Sequence, residues 1–127
     1  MKLTKLEDYS ILIISFLAKQ ESFVSVSDIC KNLLLPIPFT RKILNILLNK
    51  NIVKTKEGSN GGYMINVDPS ELSVYDVMKA LGDEILLTEC IKDDCSVKEQ
   101  CSSKEVFNKL NEEIRSKFSD IKIIDFI

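Results

Sequence analysis

The chain has no histidine, and its 127 residues include only four glycines and three prolines. Without histidine there is no imidazole to serve as a general base, to complete a Ser–His–Asp or Cys–His arrangement, or to ligate a metal. The sequence also has no C-x-x-C pair, no nucleophile elbow and no phosphate-binding loop. An enzymatic reading, such as a small redox protein, therefore has nothing to rest on, and the chain is expected not to be an enzyme. No apolar run is long enough to span a bilayer. The opening MKLTKLEDYS carries acidic residues and leads into an amphipathic stretch with no cleavage site. A cytoplasmic protein with reduced thiols is expected.

What is present suffices for a folded domain. Hydrophobic residues make up 45% of the chain and charged residues 28%, a composition that can build a core and is far from disordered. The formal net charge of −2 hides an asymmetry. Residues 1–66 contain nine basic and five acidic side chains, whereas residues 67–127 contain eight and fourteen. A basic first half can meet phosphates while an acidic second half stays clear of them.

Three of the four cysteines, Cys90, Cys95 and Cys101, lie within CIKDDCSVKEQC, spaced C-x4-C-x5-C. Soft thiolates this close together suit a transition metal, with zinc or an iron–sulfur cluster as first candidates. These spacings do not put the sulfurs on one helical face, where neighbours lie three or four residues apart, so a loop wrapped around a metal is expected. An ordinary set of loop cysteines or a disulfide is the plain alternative. Cys30 falls in the apolar stripe of a helix and reads as a small core residue.

The periodicity predicts a mainly α chain with one small β-hairpin. A first helix covers residues 5–19, so apolar that it must be covered on most sides, with Asp8 as a solvated first-turn acid. Ser25 opens a second helix in a capping-box pattern with Asp28, and Val26, Ile29, Cys30, Leu33 and Leu34 form its expected buried face. Pro36 ends it, and Pro38 begins a third helix running to about Lys50. That helix buries Ile43, Leu44, Leu47 and Leu48, and its expected polar face carries Thr40, Arg41, Lys42, Asn45 and Asn49. Strands at 52–55 and 63–66 flank EGSNGG, where Gly58, Gly61 and Gly62 suit a hairpin turn. Two helices joined by a tight turn and followed by a hairpin form a winged helix-turn-helix. Phe39, Thr40, Arg41, Lys42 and Asn45 would then face DNA. A fourth helix is capped by Ser73 and Asp76 and stopped by Gly82, and a last one spans about 103–118. Its narrow apolar stripe asks for a partner helix, so self-association is expected, and the tail IKIIDFI should pack on a neighbour. Residues 1–67 would form the DNA-binding domain, and residues 68–127 a short helix, the cysteine loop and a long dimerisation helix.

The opening MKLTKLEDYSILIISFLA, the segment PIPFTRKIL, the wing GSNGGY and the three-cysteine loop, in that order, resemble the IscR/NsrR family of bacterial transcription regulators. The resemblance covers almost the whole chain. It implies a homodimeric winged-helix regulator of a palindromic operator, with an iron–sulfur cluster (2Fe-2S or 4Fe-4S) on Cys90, Cys95 and Cys101. It also implies a carboxylate from the partner chain as the last ligand, and Asp8 stands at the matching place. Such a site would sense nitric oxide, redox state or iron–sulfur status. The chain departs from the family in two places. Its first cysteine pair is separated by four residues where cluster-binding relatives often have five, and Glu57 stands where the wing usually carries arginine. A glutamate is repelled by the narrow minor groove that attracts arginine, which shifts backbone contact to Lys54, Lys56, Ser59 and Asn60. The other reading is a cluster-free regulator of the same family, using the cysteines as a thiol switch or zinc loop, or answering to a metabolite or partner protein.

Overall fold

The computed structural model describes residues 2–83 and 103–127, so Cys90, Cys95 and Cys101 lie outside the described residues. Helix α1 (Lys5–Ala18) is the element on which the rest is assembled, packing against the second helix, the wing, the fourth helix and the C-terminal turn. It starts in a full capping box. The Glu7 amide donates to the Thr4 hydroxyl oxygen at 3.2 Å, and the Thr4 amide donates to a Glu7 carboxyl oxygen at 3.1 Å. Ile11, Ile13, Ile14 and Leu17 are buried together with Ser10 and Ser15. Both serine hydroxyls donate back to the carbonyl four residues earlier, Leu6 and Ile11, at 2.6 Å. The helix thus satisfies its own buried polar groups and can be enclosed on several sides.

Helix α2 (Val26–Leu33) is capped by the Ser25 hydroxyl, which accepts from the Asp28 amide at 3.2 Å. It ends at Leu34 in the left-handed region, φ 55°, and the Leu35 amide reaches back to the Cys30 carbonyl at 3.2 Å. This is the usual helix stop, normally made by glycine. Its consequence corrects one expectation: Leu34 does not join the buried face but stands 88% exposed. Ile29 and Cys30 are buried as expected.

Helix α3 (Ile37–Asn49) takes Pro36 as its cap residue and carries Pro38 in its first turn, where a missing N–H costs nothing. Asn51, with φ 60°, turns the chain into β1 (Val53–Lys56), which pairs antiparallel with β2 (Gly62–Ile65) in the register Val53–Ile65 to Lys56–Gly62. The hairpin is tied to the rest of the fold. Val24, in the α1–α2 connection, exchanges two backbone hydrogen bonds with Tyr63, at 2.9 and 2.8 Å. That approach needs Gly62 (φ 140°), where a Cβ would collide with the Val24 carbonyl.

Helix α4 (Val74–Ala80) has the predicted Ser73–Asp76 capping box, both bonds at 3.0 Å, and stops before Gly82 at φ 85°. Helix α5 (Ser103–Asp120) packs on α4. The tail forms a 3-10 turn, Ile123–Phe126, with Ile123 fully buried and its amide donating to the Leu72 carbonyl at 2.8 Å. One hydrophobic core joins Ile13, Leu17, Ile43 and Leu47 to Val77 and Ile123. The core thus includes residues on both sides of positions 67 and 68. Among the described residues no helix is long and apolar enough to cross a membrane.

Candidate functional site

The outer face of α3 is built by its inner face. Thr40, Ile43, Leu44 and Leu47 are buried at helical spacing, leaving Ile37, Pro38, Arg41, Lys42, Asn45 and Asn49 exposed on the opposite side. Arg41, Lys42 and Asn45 are thus presented together, as their spacing predicts. Thr40 is not. It is 0% exposed, and its hydroxyl donates to the Pro36 carbonyl at 2.9 Å, so it closes the helix start and faces the core. The reason lies in its position, three, four and seven residues before Ile43, Leu44 and Leu47. Phe39 also turns inward: its half-buried ring meets the Tyr9 ring edge-on, with centroids 5.6 Å apart. Both side chains set the angle of α3 on the body instead of extending its outer face.

The wing residues Lys54, Lys56, Ser59 and Asn60 are all exposed, as is Glu57. Lys54 and Lys56 alternate along β1 and share one side of the strand, while the Thr55 hydroxyl donates to the Gly62 carbonyl at 2.9 Å. The Lys56 ammonium lies 6.0 Å from the centre of the Phe23 ring, a second link between the wing and the α1–α2 connection.

Asp8 is exposed on the first turn of α1. It borders a cavity of about 240 Å³ lined mainly by Ile11, Leu12, Phe16, Leu33 and Phe126, with Lys19 at its rim. The residue before it, Glu7, is only 4% exposed. Burial, and then a hydrogen bond with the Asp83 side chain, push the Glu7 carboxyl up to about 7. Asp83 is the last described residue before the cysteine segment. Asp83 itself thus lies beside the end of α1 that carries Asp8. Cys30 is buried and free on α2. No group of three or more potential metal ligands occurs among the described residues, and the three clustered cysteines are not among them.

Helix α5 turns Val106 and Leu110 outward, and Leu110, Ile114 and Phe118 line an apolar groove. Ile37 and Pro38 share the outer face of α3, four and three residues before Arg41.

A family model described as Rrf2, iron-dependent transcriptional regulator, matches residues 3–127. The chain is 31% identical over 114 residues to the regulator NsrR of Bacillus licheniformis, covering 86% of this chain and 80% of the relative. In fold it is similar to CymR, the global cysteine regulator of B. subtilis, with a TM-score of 0.82 at 20% identity over 99% of this chain and 95% of the other. The IscR of T. potens superposes with a TM-score of 0.76 at 24% identity, over 99% and 85% of the two chains. These likenesses establish the winged helix-turn-helix expected from the hairpin and helix spacing. Together with the family match over nearly the whole sequence, they make this chain a member of the Rrf2 family of DNA-binding transcriptional regulators, not an enzyme.

Proposed function

We propose that the protein works as a homodimer on a palindromic operator, with an iron–sulfur cluster on Cys90, Cys95 and Cys101 controlling its grip. Asp8 of the opposite protomer would be the remaining ligand. The observation that carries this reading is the exposed row Arg41, Lys42 and Asn45 on α3, together with the exposed lysines of the wing, in a chain that also holds three clustered cysteines. The donor set fits such a group, since three soft thiolates and one hard carboxylate are ligand types iron accepts. When bound, the cluster would supply an iron whose weakest ligand, the carboxylate, nitric oxide or oxygen can displace.

The remaining steps belong to the chain's own residues. Arg41 donates to base edges in the major groove, and Lys42, Lys54 and Lys56 neutralise phosphates, with Ser59 and Asn60 at the backbone. Glu57 keeps the wing tip out of a narrow minor groove. In a two-fold dimer two α3 helices must meet successive major grooves about 34 Å apart, so a small rotation between protomers changes affinity. The apolar face of α5 supplies the surface through which two copies associate.

Purification without oxygen, with iron supplied, tests the sensing half of this reading. A brown protein with visible absorbance, whose operator binding changes when the cluster is removed, is the expected result. A colourless, iron-free protein would overturn it, and stoichiometric zinc in its place would identify a zinc loop.

A further inference from the structure

The leading end of α3 is short of hydrogen-bond donors. Helix starts that meet nucleic acid ordinarily offer their free amides to phosphate. Here Pro36 and Pro38 have no N–H, and the hydroxyl of Thr40 is taken by the Pro36 carbonyl at 2.9 Å, so the first turn keeps only the Ile37 and Phe39 amides as donors. The surface beside them is apolar: Ile37 is 45% exposed, and the rings of Pro36 and Pro38 are exposed with it. Ile37 lies one turn before Arg41, and Pro38 one turn before Lys42, on the same outer face.

We infer that Ile37 and Pro38 form an apolar reader that contacts the C5-methyl groups of thymine in the major groove, ahead of the bases reached by Arg41. This inference rests on the DNA-binding reading of α3 and adds to it a base preference at positions where no hydrogen bond is made. The occupant follows from the surroundings. An exposed arginine and lysine one turn away suit a groove lined with phosphates, and they would be left without partners against an apolar protein surface. Within the major groove the thymine methyl is the apolar feature of the base edges. At 1.5 Å of rise per residue, Ile37 and Arg41 are separated by about 6 Å along the helix. The methyl contact therefore falls within about two base pairs of the position governed by Arg41.

The test removes the methyl and nothing else. Duplexes are selected from a random pool with the full-length protein, and each thymine of the selected half-site is replaced singly by deoxyuridine. Binding of the parent protein is expected to weaken about three- to tenfold at one or two positions. Ile37→Ala, at an exposed site where folding is checked by thermal melting, is expected to bind thymine and deoxyuridine duplexes equally. Parent binding that is indifferent to every replacement overturns the inference while leaving DNA binding intact, and so does an Ile37→Ala protein that keeps the full preference for thymine. Failure to select any duplex would remove the DNA-binding reading itself, and the inference with it.

Discussion

The side chains of Glu7 and Asp83 meet as two acids joined by a hydrogen bond, and burial, then that hydrogen bond, raise the Glu7 carboxyl to about 7. In the unfolded chain the same group ionises near 4.5. Between those values the native state binds a proton that the unfolded state has released, so stability falls as pH rises through that window. The contribution is complete below about 4.5 and lost above about 7. Glutamine can accept from the Thr4 amide and donate to Asp83 without titrating. Glu7→Gln is therefore expected to flatten the pH dependence and to stabilise the protein at pH 8 by about 1–3 kcal/mol. Urea unfolding at pH 5 and pH 8 measures both effects, and an unchanged slope would refute the assignment.

Gly62 is where the wing touches the α1–α2 connection. Gly62→Ala places a methyl against the Val24 carbonyl at a φ that alanine rarely adopts. A loss of about 2–4 kcal/mol is expected, with a weaker grip on DNA at every sequence. Thermal melting and a binding titration check the pair of effects. Gly58, with open space around its Cβ, is the control for a purely local change.

Leu34 holds a left-handed backbone while leaving its side chain in water. Leu34→Gly removes that strain and gives up little burial. It is expected to raise stability by about 1 kcal/mol. A lower melting temperature would mean that this side chain packs against something in solution.

On α3, neighbouring residues separate by role. Arg41→Ala should relax sequence preference, since an arginine at a guanine edge discriminates by about 1–3 kcal/mol. Lys42→Ala should weaken binding to all sequences and reduce the salt slope by about one unit. Thr40→Ala should cost about 1 kcal/mol of stability through the lost bond to Pro36 and leave sequence preference alone. Gel shifts across salt and operator variants distinguish the three.

Val106, 65% exposed, and Leu110 share the outer side of α5. Replacing both with glutamate is expected to yield monomers in sedimentation experiments and to lower operator affinity at least tenfold by loss of the second half-site. A dimer that persists would place the association surface elsewhere.

Local chemistry was the legible part of this fold. Ser25, the Ser73–Asp76 pair, Gly82 and the EGSNGG turn each act within a few residues; the caps stand where the structure has them, and the strands, expected at 52–55 and 63–66, form at Val53–Lys56 and Gly62–Ile65. At two positions helical phase outranks polarity. Thr40 looked outward because it is polar, although its spacing from Ile43, Leu44 and Leu47 puts it on the buried side. Leu34 looked inward because it is apolar, although it occupies a stop that favours glycine. Contacts between distant segments left no local mark: the Val24–Tyr63 pairing and the Glu7–Asp83 pair arise only once α1 has gathered its neighbours, whereas the apolar tail already announced the burial of Ile123. The cysteine spacing is plain in the sequence, and its ligation is a matter for chemistry on the protein.

The Val24–Tyr63 pairing and the Lys56–Phe23 contact fasten the hairpin to the segment that leads into the helix-turn-helix. If two copies bind together as proposed, each would meet the duplex as a single die, with little room to adjust one printing edge against another. A signal altering the grip would then have to act on the distance and phase between two such dies. The spacer between half-sites, which no side chain of α3 needs to touch, would thereby become the part of the operator that decides which state of the protein it accepts.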